Sequence, residues 1–274
     1  MQKARSGPRP NPHRGAVCAT ERECLMLTAL ALFLAACLAG VVNALAGGGL
    51  LFTFPALVAV GVPPLLANAT ANIASWPGYV SAAVAMRREL GQHRRWLRLL
   101  LITGVTGGIT GAALLKVISP GFFSYLVPWL LLLATLLFWQ GKALLAWMGH
   151  APHQVNQRLL SAGSWLIGVY GGFFGGGMGV MMMTLFSLSG IPSLLTQNAL
   201  KIFLSLVLNT ASVIVLLATG LAAWEHLPPL ALGYLLGGYV GGRVMNHIPQ
   251  HWLRRGVVGF GLLMSGVFFW RAYV

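Results

Sequence analysis

The stretch VNALAGGGLLFTFPALVAVGVPPLLANATANIASWPGYVSAAVAMRREL, residues 42–90, decides the fold of this chain. An apolar run that begins at Leu25 reaches Gly47-Gly48-Gly49, resumes over roughly 50–60, turns at Gly61-Val62-Pro63 and continues over 64–86, where Arg87 and Arg88 close it. A helix that crosses a bilayer needs about 20 mostly apolar residues. The piece at 50–60 is too short to cross alone, so the segment reads as helices broken or re-entrant inside a membrane.

The same kind of run recurs on either side. Spanning candidates lie at 25–42, 64–86, 99–118, 122–147, 160–174, 194–218, 230–245 and 256–271, with a second short piece at 178–189 behind its own glycine cluster. The breaks also match one another. Gly47, Gly48 and Gly49 align with Gly175, Gly176 and Gly177, the Gly-Val-Pro of 61–63 with the Gly-Ile-Pro of 190–192, Asn68-Ala69 with Asn198-Ala199, and Pro120 with Pro249, all at offsets of 128 to 130 residues. Overlapping GxxxG spacings follow in each case, at Gly104, Gly107, Gly108 and Gly111 and at Gly233, Gly237 and Gly241. The expected fold class is therefore all-α: a polytopic integral membrane protein of about 8 transmembrane segments in two repeats. The repeats occupy 25–147 and 159–274, joined by a linker at 148–158 and preceded by a disordered basic tail at 1–24.

Composition points to the same solvent. Hydrophobic residues make up 57% of the chain and charged residues 8%, with a mean hydropathy of +0.77, whereas soluble domains carry about 25% charged residues. The net charge of +14 is concentrated in the tail (Lys3, Arg5, Arg9, Arg14, Arg22) and between Arg87 and Arg98. Those short flanks of apolar runs are where topology-setting cations belong. No nucleic-acid-binding motif accompanies them, so no nucleic-acid partner is expected. Cys18, Cys24 and Cys37 lack the paired spacing of a zinc site and imply no disulfide framework. No metal or other cofactor is expected. Leu25–Val42 runs into glycine-rich apolar sequence without a cleavage site, which favours a retained span over a signal peptide.

Charge around the GxxxG helices orients the repeats. In the first, the basic loop precedes that helix; in the second, Glu225 and His226 precede it and Arg243, Arg254 and Arg255 follow. Under the positive-inside rule the two repeats are inverted.

A helix interrupted inside a membrane leaves backbone groups that survive only against protein or a polar cavity. The resumed helix offers free N–H donors and the positive end of its dipole, both suited to an oxyanion; close packing through small residues is the structural alternative. The two clusters, Gly47, Gly48, Gly49 and Gly175, Gly176, Gly177, are on this basis candidate substrate-binding positions, together with the polar residues after each break: Asn68, Thr70 and Asn72, then Asn198, Lys201 and Asn209. Amides in such places either donate to an anion or bond across helices. Lys201 lies seven residues inside an apolar run, where a lysine costs about 2.5–3.5 kcal/mol on insertion scales and so snorkels, pairs or serves the substrate. The acids, Glu21, Glu23, Glu89 and Glu225, all fall in expected termini or loops. That inventory favours a small anionic substrate in a lipid bilayer. HExxH, Walker and GxSxG motifs are missing, and an enzyme is not expected.

The segments 42–90, VYGGFFGGGMGV (169–180), TQNALKIFLSLVLNTASVIV (196–215), GGYVGGRV (237–244) and LRRGVVGFGLL (253–263) resemble the TauE/SafE family of sulfite and organosulfonate exporters. The resemblance implies a multi-pass carrier of the bacterial cell inner membrane that exports small sulfur-containing anions by alternating access. Gly175-Gly176-Gly177 stands where the family usually has Gly-Ala-Gly, which keeps the break. A structural or regulatory membrane subunit that associates through its GxxxG helices is the other reading, and a homo-oligomer fits either. Epitope tags inserted at 91–93 and at 250–251 are both expected on the cytoplasmic face, although they flank the repeated helix on opposite sides; tags on opposite faces would leave a parallel duplication instead.

Overall fold

The computed structural model describes residues 12–92, 94–147, 156–191, 193–244 and 250–273. Among them the chain is helix and connecting turn, with no strand. The N-terminal half holds α1 (Pro12–Ala46), α2 (Leu50–Ala59), α3 (Pro64–Ala85), α4 (Arg87–Gln92), α5 (Arg94–Val117) and α6 (Pro120–Trp147). The C-terminal half holds α7 (Gln157–Phe173), α8 (Met178–Leu188), α9 (Leu194–Ala218), α10 (Leu227–Val244) and α11 (Gln250–Tyr273), with one 3-10 turn at Trp224–His226. Local chemistry sets the ends: Pro64 opens α3 behind Pro63, and the side chains of Asn156 and Ser193 accept backbone N–H groups at the starts of α7 and α9.

Five stretches are long and apolar enough to cross a membrane: Glu23–Ala46, Trp96–Val117, Pro120–Leu137, Leu194–Ala218 and Arg255–Tyr273. The other three of the eight expected spans, in α3, α7 and α10, are helical but fall short of that standard. Their residues explain why. α7 has only 17 residues, α10 is rich in glycine, and α3 buries Asn68, Thr70, Asn72 and Ser75. Such a helix is at home inside the protein rather than against lipid.

Other boundaries shift as well. From Pro12 the expected tail is helical and runs on into α1, while residues 1–11 lie outside the described residues. The basic segment expected as a loop forms α4 and the first turn of α5; the Glu89 carboxylate accepts the Thr196 hydroxyl at 2.8 Å, tying α4 to the start of α9. Residues 148–155 of the expected linker, and 245–249, also lie outside the described residues.

The halves interlock. α10 packs on α1 and α3, while α5 packs on α7 and α9, so each GxxxG helix lies on the half to which it does not belong. Small residues permit this because they let backbones approach closely. A Cβ on Gly107 would stand 2.8 Å from the Trp165 carbonyl oxygen, and one on Gly241 would stand 2.9 Å from Val41. Large apolar side chains such as Leu34, Ile102, Trp129, Leu236 and Leu263 are left outward, where lipid accepts them. Gly237, seated on the Cys37 carbonyl of α1, should not tolerate a side chain: Gly237→Leu is expected to destabilise the protein in detergent by at least about 1–3 kcal/mol. Gly266→Leu, at a position with open space around it, should leave the thermal unfolding midpoint unchanged.

Candidate functional site at the paired helix breaks

Each break begins where a helix runs out into glycine. α1 ends at Ala46 and Gly47 turns the chain at φ +76°; α7 ends at Phe173, and Gly175 and Gly177 take φ +79° and +74°. Side chains with a Cβ rarely adopt that left-handed region, so glycine is needed at these three positions. The breaks touch: the Gly179 N–H donates to the Gly47 carbonyl at 3.4 Å. Within the clusters, the Gly48 carbonyl accepts the Leu51 N–H at 3.1 Å, the Gly49 N–H reaches Asn43 Oδ1 at 3.4 Å, and the Gly176 carbonyl accepts the Tyr170 hydroxyl at 2.6 Å.

Side chains from each half complete the backbone of the other. Asn68 on α3 donates its amide to the Phe173 carbonyl at 2.9 Å, at the end of α7. Lys201 on α9 donates to the Ala44 carbonyl at 2.8 Å, in the last turn of α1. A cation at a helix C-terminus also meets the negative end of the dipole. Lys201 is 1% exposed, so it does not reach out to water. A third link joins α3 to α9: Asn209 donates to the Asn72 side-chain oxygen, and also to the Asn72 carbonyl at 3.1 Å and Ser75 Oγ at 3.3 Å. Thr70 serves elsewhere, accepting the Ala223 N–H at 2.9 Å ahead of the 3-10 turn.

Between the breaks lies a small cavity with room for about one water molecule. Leu50 and Met178, the first residues of α2 and α8, border it, as do Gly171, Phe174 and Gly175. Its polar lining comes from Asn43, Asn72, Ser75, Tyr79 and Tyr234. Tyr234 is further held by Thr53 through a hydroxyl pair at 2.8 Å. With its oxygen engaged by Asn209, Asn72 has its NH₂ left to offer.

Of the residues singled out from sequence, Asn72 and Gly175 line this cavity. Gly47, Gly48, Gly49, Gly176 and Gly177 form the breaks, Asn68, Lys201 and Asn209 brace the surroundings, and Asn198 is buried on α9 one turn before Lys201. The Lys201 side chain, buried rather than snorkelling, bonds to a backbone carbonyl. Ser75, Tyr79 and Tyr234 escaped the sequence reading. A signal was there for two of them, because Asn72, Ser75 and Tyr79 follow a three-then-four spacing that puts them on one helical face.

Comparison with known proteins places the chain in a family. A family model described as "Sulfite exporter TauE/SafE" matches residues 32–268. The chain is similar to a probable membrane transporter protein of Haemophilus influenzae, 28% identical over 240 residues that cover 85% of this chain and 91% of that protein. It is also similar to the probable membrane transporter protein ORF9 of Sinorhizobium sp (29% identical; 77% of this chain, 81% of that one) and to the probable membrane transporter protein YfcA of Escherichia coli K12 (27% identical; 85% and 87%). No solved structure matches it. If Asn68 and Lys201 hold the breaks closed, Asn68→Ala and Lys201→Met should each lower unfolding stability in detergent by about 1–3 kcal/mol, the cost of a buried carbonyl left without a donor. Unfolding curves that overlay the wild type would remove the bracing role.

Proposed function

Since the chain belongs to the sulfite exporter TauE/SafE family, we propose that it carries a small sulfur-containing anion, sulfite or an organosulfonate, outward across a bacterial inner membrane. The observation that supports this reading is the meeting of two broken helices at one polar cavity, with the first residues of α2 and α8 on its border. Helix N-termini at the midplane of a carrier, set where two repeats meet, suit an anionic group.

Transport then proceeds by alternating access. The two halves act as inverted repeats, and their interlocked packing, α10 on α1 and α3 against α5 on α7 and α9, gives two bodies that rock about the cavity. In this cycle the cavity widens toward one face at a time. An interior-negative potential drives a monoanion outward by roughly 2.3 kcal/mol per 100 mV, so export needs no cation bound to a buried carboxylate.

The alternative, a structural subunit that associates through GxxxG helices, is weakened by the glycines themselves. Gly107 and Gly111 are seated on α7, and Gly233, Gly237 and Gly241 on α1, which leaves these faces engaged within the chain. Purified protein in liposomes is expected to move sulfite or a simple sulfonate faster than protein-free liposomes, without any partner protein. Asn72→Ala should cut that flux at least about tenfold, the scale of one lost hydrogen bond to an anion, while membrane insertion stays normal. Unchanged flux in this variant would move the site elsewhere.

A further inference from the structure

The side chains around the cavity limit the charge its occupant carries. Asn43 from α1, Asn72, Ser75 and Tyr79 from α3 and Tyr234 from α10 are all amides and hydroxyls. Among the residues whose side chains are described, Lys201 is the one buried Lys, Arg, Asp or Glu, and it does not line the cavity. It sits on the carbonyl of Ala44, next along the chain from the lining residue Asn43.

From this lining we infer that the site takes singly charged oxyanions, hydrogensulfite or an alkylsulfonate, and excludes dianions such as sulfate and fully ionised sulfite. The inference rests on the anion-carrier reading above and narrows it. Desolvation cost rises with the square of the charge, so a dianion costs about four times as much to bring in as a monoanion of the same size. Hydroxyl and amide dipoles replace part of the lost hydration in both cases, but they bring no net charge to set against a dianion. Among the described residues no Lys or Arg lines the cavity, so a second charge adds its full desolvation cost with no cation against it. The apolar part of the lining agrees with this choice: the side chains of Leu50, Phe174 and Met178 suit the carbon substituent of a sulfonate or the uncharged side of a pyramidal sulfur.

The test is flux into liposomes holding the wild-type protein, with labelled methanesulfonate, sulfate and sulfite, over a pH range that spans the second ionisation of sulfite. Methanesulfonate should outrun sulfate by more than about tenfold. Sulfite flux should fall by up to about tenfold per pH unit above that ionisation, following its singly charged form. Methanesulfonate keeps its charge across the whole range, so its own pH profile corrects for any change in the protein. Tyr79→Phe should raise the half-saturation concentration for methanesulfonate about tenfold. Sulfate flux equal to that of methanesulfonate, or corrected sulfite flux that rises with pH, would overturn the charge rule while the carrier reading stands. No protein-dependent flux of any of the three anions would overturn both.

Discussion

A helix that stops inside a bilayer leaves carbonyl groups that water cannot reach, and two of them are met here by side chains from the other half of the chain. Asn68 serves Phe173, and Lys201 serves Ala44. The two carbonyls stand 129 positions apart (44 and 173), within the offset at which the glycine clusters recur. Neither break is satisfied by its own half alone. The cavity between them exists only when the halves are joined, because α1, α3, α7, α8 and α10 all contribute to its wall.

The rest of the architecture supplies the setting for that exchange. Glycine stripes on α5 and α10 bring each of these helices against the opposite half at backbone distance. This wraps α3, whose buried Asn68, Thr70, Asn72 and Ser75 would be costly in contact with lipid. The apolar surplus of the sequence is spent on the outside, as the exposed Leu, Ile and Trp side chains of α1, α5, α6, α10 and α11 show. Polar groups are thereby reserved for the middle, and neutral ones for the cavity itself.

How much of this was legible in the sequence depends on how local the cause is. Glycine breaks, short helices after them and the recurrence of both are local patterns, and they appear in the structure where Gly47 and Gly175 take their positive φ values. Lys201 was visible as an anomaly, but its partner is a carbonyl 157 positions away, which no spacing rule connects. Tyr234 lies in a glycine-rich helix that reads as a packing element, and only the approach of α10 to α1 and α3 brings it to the cavity. The basic segment at 87–98 showed its charge but not its shape; the bond from Thr196 to Glu89 that holds α4 comes from the far half.

The proposed transport cycle makes one demand that is open to direct measurement. A group on its wall must meet water from one side of the membrane and then from the other. Ser75, 6% exposed and on that wall, is the position to use, replaced by cysteine in a chain whose three native cysteines are serine. The account predicts that a membrane-impermeant thiol reagent labels this cysteine when added to either side of sealed vesicles, and that sulfite or methanesulfonate slows the labelling from both. Labelling from one side alone, with no protection by either anion, would contradict it.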